Sequence, residues 1–251
     1  MSRLLRVEMR RLWSRRVVRV LVLLFFVLIA VVMVANYLNA TDERPLTPAF
    51  VADSGRGFGG GFAALVFIMG ASAGGAEWAA RTVEALLVWE PRRLRLMLAK
   101  IAVLAGSVAV VATVVQVVAG LLSRAAVAGR GSMSGAESDF WSTYVSFAAT
   151  NVVYAAMTAL LGFAIASLTR NTGFALGAAL VYFGFVDRLL TLLPDWVDKL
   201  TFVVNAAAFL DHGTEFDDIT LSTLHGGVTV AAYVGVLLAA AVTLFQRRDV
   251  T

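Results

Sequence analysis

Six long apolar runs dominate this sequence of 251 residues. A helix needs about 20 mostly apolar residues to cross the hydrocarbon core of a bilayer, because its backbone polar groups must be hydrogen-bonded within the segment. With 59% hydrophobic residues, the chain also has more apolar surface than a soluble fold of this size can bury. We therefore predict an all-α polytopic membrane protein whose six transmembrane helices cover residues 17–38, 58–76, 101–122, 144–168, 172–193 and 226–245.

The basic residues predict how these helices are oriented. Most of the 21 Lys and Arg residues lie before the first span, between the second and third, between the fourth and fifth, and after the sixth. Because loops rich in Lys and Arg stay in the cytoplasm, we expect both termini to be cytoplasmic. These residues border apolar runs and do not form a patch interleaved with aromatic residues, so we expect no nucleic-acid partner.

Residues 1–16 form a segment of their own ahead of the first span. Leu5, Met9, Leu12 and Trp13 share one face of a predicted helix, and Arg residues lie roughly opposite. Such a cytoplasmic amphipathic helix rests on the membrane surface, where its Arg side chains meet anionic lipids. Residues 17–251 are then predicted to form a single transmembrane domain.

The segment between the fifth and sixth spans, residues 195–225, is too polar to cross a membrane but contains the apolar run FVVNAAAFL. Short helices that dip back into the outer leaflet fit this pattern, because irregular backbone is tolerated where protein buries it. An ordinary external loop with one helix lying on the surface fits it as well. Both interpretations stay open at this point.

Two glycine motifs invite comparison with catalytic and packing patterns. GASAG, residues 70–74, matches the G-x-S-x-G nucleophile pattern, in which His225 could serve Ser72 as a base. The same letters form a GxxxG helix-packing motif, which needs only the apolar helix where they lie. GFALG, residues 173–177, repeats this spacing and also favours close helix packing. We expect packing motifs, and an intramembrane serine hydrolase is the less favoured alternative.

No cofactor or metal is expected to bind this chain. GRGFGG, residues 55–60, fits G-x-G-x-x-G by letters alone, since no predicted strand precedes it. Neither lysine follows a glycine, so a Walker A loop is absent. Cysteine is also absent. The acidic loop around His212 has none of the spacing of a cation-binding loop, so a solvated loop is the better interpretation.

A charged stretch separates the second and third spans, EWAARTVEALLVWEPRRLRLMLAK, residues 77–100. Its first half is amphipathic, Pro91 stops that helix, and the basic residues after it open the next span. The pattern predicts a short cytoplasmic helix parallel to the membrane. A helix in that position offers a partner protein a place to bind.

This stretch resembles the coupling-helix region of the ABC-2 type transporter permeases. That family has a Glu at the end of the second span, then Arg-Thr, a Leu pair, Pro-Arg-Arg and Ala-Lys. The matching residues are Glu77, Arg81, Thr82, Leu86, Leu87, Pro91, Arg92, Arg93, Ala99 and Lys100. The amphipathic helix before the first span and the basic end FQRRD, residues 245–249, match as well. One departure is the WAA at residues 78–80, where the family usually has a Gly before the Thr.

The resemblance implies a permease subunit of an ATP-driven exporter in a bacterial plasma membrane. Separate ATPase subunits would bind ATP and Mg²⁺, and a second copy or a homologous permease would complete the translocation path. The resemblance implies ATPase contacts for Glu77, Arg81, Thr82, Glu84, Leu87, Pro91, Arg92 and Arg93. Membrane lipids surround the rest, and the apolar, aromatic spans suit an amphipathic or lipid-like substrate.

Polar residues within spans are costly and are therefore candidates for the substrate path. These are Gln116 in the third span, Asn151 and Tyr154 in the fourth, and Asp187 near the outer end of the fifth. Hydrogen bonding between helices explains each of them at least as well. A second class of function also stays open, in which a non-transporting immunity or sensor protein binds a toxic peptide.

Overall fold

The computed structural model describes residues 2–39, 48–82, 88, 92–130, 137–190, 192–194, 196–211, 214–216 and 219–247. Its helices are α1 (Ser2–Ser14), α2 (Arg16–Asn39), α3 (Pro48–Ala79), α4 (Arg93–Arg130), α5 (Glu137–Thr169), α6 (Thr172–Val181), α7 (Asp187–Leu190), α8 (Phe202–Leu210) and α9 (Thr223–Arg247). A π-helical segment, Tyr182–Val186, joins α6 to α7, and a 3₁₀ turn, Asp198–Leu200, precedes α8.

Five of the described helices are long and apolar enough to cross a membrane. They contain the stretches Arg16–Leu38, Phe62–Ala79, Arg93–Ala125, Tyr144–Thr169 and Thr223–Arg247, which correspond to five of the six predicted spans. The predicted fifth span, residues 172–193, is divided into α6, the π segment and α7, with a shorter apolar helix over Thr172–Val186. The protein is therefore a helical membrane protein with five candidate spans, and the sixth span stays a prediction.

Helices α3 and α5 form the centre of the bundle and make its most extensive helix contact. Glycines allow this, because a Cβ at Gly70 would meet the backbone of Ala159, and a Cβ at Gly162 would meet the backbone of Phe67. A Cβ at Gly74 would lie 2.5 Å from a backbone oxygen of α5. The GASAG stretch is therefore a close helix-packing motif, as its spacing predicts.

The second glycine motif behaves differently. A Cβ at Gly177 would have no neighbour within 4 Å, and a Cβ at Gly173 would meet only the side chain of Asn171, at 3.2 Å. Asn171 is the N-cap of α6 itself, where its side chain accepts from the Phe174 amide at 3.1 Å. The expectation that GFALG packs closely against another helix is wrong for the described part of this chain, because this side of α6 faces outward.

Helix α1 lies across the end of the bundle against α4. Leu12 is buried in the main apolar core and Leu5 packs against it, whereas Met9 and Trp13 are 40% and 36% exposed. The predicted apolar face therefore turns toward the protein only in part. The Ser107 hydroxyl of α4 contacts the Met9 sulfur at 3.2 Å. The amphipathic helix is present over these residues, and its position at a membrane surface stays a prediction.

Helix α8 packs against α5 and α9 through side chains that are mostly buried. Asn205 is buried and donates to the backbone oxygens of Lys199 and Thr201 at 2.9 and 2.8 Å, which holds the turn before α8. The Tyr233 hydroxyl of α9 donates to the Leu200 oxygen at 2.7 Å. This burial favours the re-entrant interpretation over a helix lying on the surface, although its depth in a membrane is still a prediction.

A small β-hairpin follows α8, which the all-α prediction did not include. Strands β1 (Thr214–Phe216) and β2 (Ile219–Leu221) pair antiparallel, with Thr214 opposite Leu221. The two strands have three residues each, so the hairpin changes the connection to α9 and leaves the helical architecture intact.

Candidate functional site

Helix α3 ends where the predicted coupling segment begins. The Arg81 amide donates to the Trp78 oxygen at 3.1 Å, and the Thr82 amide donates to the Glu77 oxygen at 3.0 Å. These two bonds form a Schellman C-cap, which requires a left-handed residue just after the helix. Arg81 takes that position with a φ of 53°, where glycine is usually preferred because it lacks a Cβ. The departure from the family pattern at residues 78–80 therefore does not disrupt the turn.

Four charged side chains meet beside this helix end, and we call Glu8, Arg15, Glu77 and Lys100 the base cluster. Lys100 Nζ lies 2.6 Å from both carboxylate oxygens of Glu77 and 3.3 Å from Glu8 Oε2. Arg15 lies 3.1 Å from Glu77 Oε1 and also donates to the backbone oxygen of Ser72 at 2.5 Å. The base cluster thus ties α1 and the start of α2 to the end of α3 and the beginning of α4.

The base cluster is largely shielded from solvent. The exposed fractions of its side chains are 5% for Glu8, 11% for Lys100, 13% for Glu77 and 20% for Arg15. Buried charges are tolerated when they are paired, and here two cations face two anions. The more exposed Arg11 also lies 3.1 Å from Glu8 Oε1. Removal of one partner from such a group leaves an uncompensated charge, which typically costs about 3–5 kcal/mol. These contacts therefore hold the ends of four helices together, α1, α2, α3 and α4.

Trp78 connects the same region to the end of α9 and to the turn between α5 and α6. Its ring packs edge-on against Phe245 of α9, with centroids 6.1 Å apart, and the Arg170 guanidinium lies 4.5 Å from the ring centroid. Arg170 has a left-handed φ of 56° in the turn between α5 and α6. Arg93 of α4 donates to backbone oxygens in the last turn of α9 at 3.4 Å. A cation at this position stabilises the C-terminal end of the helix.

The structure divides the predicted coupling residues into two groups. Arg81, Thr82 and Arg92 are exposed, whereas Glu77 and Arg93 are engaged with other helices of the same chain. Glu84, Leu87 and Pro91 lie outside the described residues. Contact with an ATPase stays a prediction for all eight residues.

The four candidate residues for a substrate path do not come together. Gln116 and Asn151 border one small cavity of about 20 Å³, which is enough space for a single water molecule. The Tyr144 hydroxyl donates to the backbone oxygen of Gln116 at 2.7 Å and lies 3.1 Å from its side-chain oxygen. Tyr154 borders a different and larger cavity, and Asp187 is buried at the start of α7.

The residues of the hydrolase alternative are far apart. Ser72 is buried within the continuous helix α3, so the turn that a nucleophile elbow requires is absent there. His225 is at the start of α9, and Phe245, which packs on Trp78 near Ser72, lies about 30 Å further along that helix. The continuous helix around Ser72 and the position of His225 at the far end of α9 therefore count against a catalytic pair.

The acidic loop around His212 lies mostly outside the described residues. His212, Asp217 and Asp218 lie outside the described residues, and the side chain of Glu215 is not described. Within the described part of the chain, no group of three or more His, Asp or Glu side chains is close enough to hold a metal ion. The expectation of a solvated loop stays a prediction.

Sequence reasoning missed Glu8 and Arg15. The N-terminal basic residues were assigned to the lipid surface as a group, and Glu77 was assigned to a partner. One signal was available, because Glu8 is the first acidic residue of the chain and the next one is Asp42. A single carboxylate within a basic helix is well placed to pair with a cation on a neighbouring segment.

These features define a multi-pass membrane protein whose helix ends are joined beside a charged connecting segment. A family model described as ABC-2 family transporter protein matches residues 4–186. Because this match covers well over half of the sequence, the chain belongs to the ABC-2 family of transporter proteins, and the family predicted from the sequence is confirmed. The family consists of membrane components of transporters that generally work with ABC ATPase subunits. No curated protein matches the chain.

Proposed function

We propose that this chain is the permease subunit of an ABC exporter that moves an amphipathic substrate out of the cytoplasm or the inner leaflet. Separate ATPase subunits would bind ATP and Mg²⁺ and dock beneath residues 77–100. A second copy or a homologous permease would complete the path, with both termini on the cytoplasmic face of a bacterial plasma membrane. The observation that carries this proposal is the base cluster.

The base cluster supports a mechanism for passing force from an ATPase to the membrane helices. The Schellman cap closes α3 after Ala79, and Glu77 lies in the last turn of this helix. A partner that displaces the segment after Thr82 therefore moves the end of α3. Because Glu77 is paired with Arg15 and Lys100, the same displacement reaches the starts of α2 and α4. Movement of packed elements as a unit is a common form of switching between two states.

The contacts of Trp78 support transfer to the remaining helices. Arg170 and Phe245 connect its ring to the α5–α6 turn and to the end of α9. The ends of α2, α3, α4 and α9 and the α5–α6 turn thus respond to one segment, as alternation between inward-open and outward-open states requires. The ATPase would supply the energy difference between these states.

The first experiment is a mild-detergent purification of the tagged chain, followed by mass spectrometry and an ATPase assay. We expect a stoichiometric protein with Walker motifs and ATPase activity. Charge reversal at two exposed positions, Arg81→Glu with Arg92→Glu, should reduce the bound ATPase. Lys199→Glu changes an exposed cation beside α8, away from the base cluster, and should leave it unchanged.

Two outcomes would count against the proposal. If the chain is recovered alone and without ATPase activity under conditions that preserve known complexes, the immunity or sensor hypothesis is favoured. If the double variant and the Lys199 control retain equal amounts of ATPase, docking at this segment is wrong.

A further inference from the structure

A large cavity lies between α3, α5, α6, the π segment and α8. Its volume is about 900 Å³, which falls within the usual range of about 300–1,000 Å³ for small-molecule sites. The walls are mainly apolar, with aromatic rings from Phe67, Phe183 and Phe202. Tyr154 and Thr158, one turn apart on α5, are the hydroxyl-bearing side chains among the described residues that line it.

The cavity is located near the middle of the apolar layer. Tyr154 and Thr158 lie about halfway along the apolar stretch Tyr144–Thr169, roughly 15–22 Å from either end at 1.5 Å per residue. The hydrocarbon core of a bilayer is about 30 Å thick. Leu180 and Phe185 are 71% and 65% exposed, so apolar side chains surround the opening at this depth.

The chemistry of the walls restricts what can bind. None of the described side chains that line the cavity is charged. A charged group placed there would lose its hydration without gaining a counter-ion, which is strongly unfavourable. A hydroxyl, ester or carbonyl group would instead find hydrogen-bonding partners in Tyr154 and Thr158. The part of a ligand that enters must therefore be uncharged.

Two local features create this space. The π segment contributes Phe183, Gly184 and Phe185 to the wall, and π-helical turns inside α-helices frequently occur at functional sites. Small side chains such as Ala179 and Ala206 leave the volume open where larger residues would fill it.

We propose that this cavity binds an uncharged lipid-like molecule, an apolar chain or ring system with a hydroxyl or ester group, that enters sideways from the membrane. The binding site itself is independent of any ATPase. Only the further statement that its occupant is the transported substrate rests on the proposed function.

The test uses two photoreactive probes on the purified full-length chain in nanodiscs. One is hexadecanol and the other is hexadecyltrimethylammonium, each with a diazirine next to the polar group. Their apolar chains are the same and only one carries a permanent charge. After irradiation, mass spectrometry locates the labelled peptides.

We expect the alcohol to label peptides that contain Phe183 and Phe202, and to do so at least about tenfold more than the ammonium probe. Tyr154→Phe combined with Thr158→Val should lower this labelling roughly three- to tenfold through the loss of hydrogen bonds. Ala179→Phe should also lower it by placing an aromatic ring within the cavity. Val181→Phe is the matched control, because Val181 lies on the same helix, is 52% exposed and does not line the cavity.

Three results would overturn the proposal. Equal labelling by both probes would mean that charge is not excluded. Equal labelling in the Ala179 and Val181 variants would mean that the probe binds outside the cavity. Labelling of α2 peptides as strong as that of the cavity peptides would indicate bulk lipid contact. Since no ATPase takes part, these results are separate from failure of the exporter proposal, which the purification experiment measures.

Discussion

Replacement of Lys100 by Met is the most direct perturbation of the base cluster. Met keeps a long apolar side chain but removes the cation that lies 2.6 Å from both oxygens of Glu77 and 3.3 Å from Glu8. Opposite charges about 4 Å apart attract by about 4 kcal/mol at an effective dielectric constant of about 20. Because the two carboxylates stay buried after the change, we expect the free energy of unfolding to fall by about 3–4 kcal/mol.

The assay is unfolding of the purified chain by titration of mixed micelles with a denaturing detergent. Lys199→Met is the matched control, since the chain has two lysines and Lys199 is exposed. This control should change the unfolding free energy by less than about 0.5 kcal/mol. Glu77→Gln in the Lys100→Met background removes a buried carboxylate that has lost one of its two cations and keeps only Arg15, so the double variant should lose less than the sum of the single variants.

The difference between the stability loss of the double variant and the sum of the two single losses decides whether the cluster acts as a unit. We expect a coupling energy of about 2 kcal/mol between Glu77 and Lys100, within the range found for residues in direct contact. Additivity of the two changes within about 0.5 kcal/mol would refute the reasoning. A loss below about 1 kcal/mol for Lys100→Met alone would do the same.

Two further predictions concern backbone positions that favour or require glycine. Gly162→Ala places a Cβ against the facing backbone of α3 and should cost about 1–3 kcal/mol. Gly106→Ala meets nothing within 4 Å and should not destabilise, so equal losses of thermal stability at the two sites would contradict the packing argument. Arg81→Gly should stabilise the chain by about 1 kcal/mol, because its φ of 53° is unfavourable for residues with a Cβ. Arg170→Gly should gain less, since it also loses the contact with Trp78, and a larger gain at Arg170 in the same thermal assay would show that this contact is unimportant.

The local sequence was sufficient to predict most of the helices and to identify the family. Each long apolar run predicts a helix independently of the rest of the chain, because a backbone surrounded by lipid must satisfy its hydrogen bonds within the segment. The order of residues in 77–100 indicated the ABC-2 family, and the match over residues 4–186 agrees with it. GASAG was recognisable as a packing motif because it lies within one such helix.

The fifth predicted span shows where local patterns are insufficient. Its apolar character extends over residues 172–193, but the helix changes to π geometry at Tyr182 and continues only as the short α7. GFALG has the same spacing as GASAG, yet among the described residues none lies within 4 Å of a Cβ at Gly177. Hydropathy and spacing describe one helix, whereas contact depends on which neighbour faces it.

The sequence by itself thus determined that this is a multi-pass helical membrane protein of the ABC-2 family. Only the tertiary structure decided what its charged and polar residues do. Glu77 pairs with Arg15, 62 positions earlier, and Lys100 pairs with Glu8 across 92 positions. The cavity beside Tyr154 likewise depends on helices from separate parts of the chain. The physical reason is that apolar burial depends on the composition of each segment, whereas ion pairs and cavities depend on atoms brought within a few ångströms by packing.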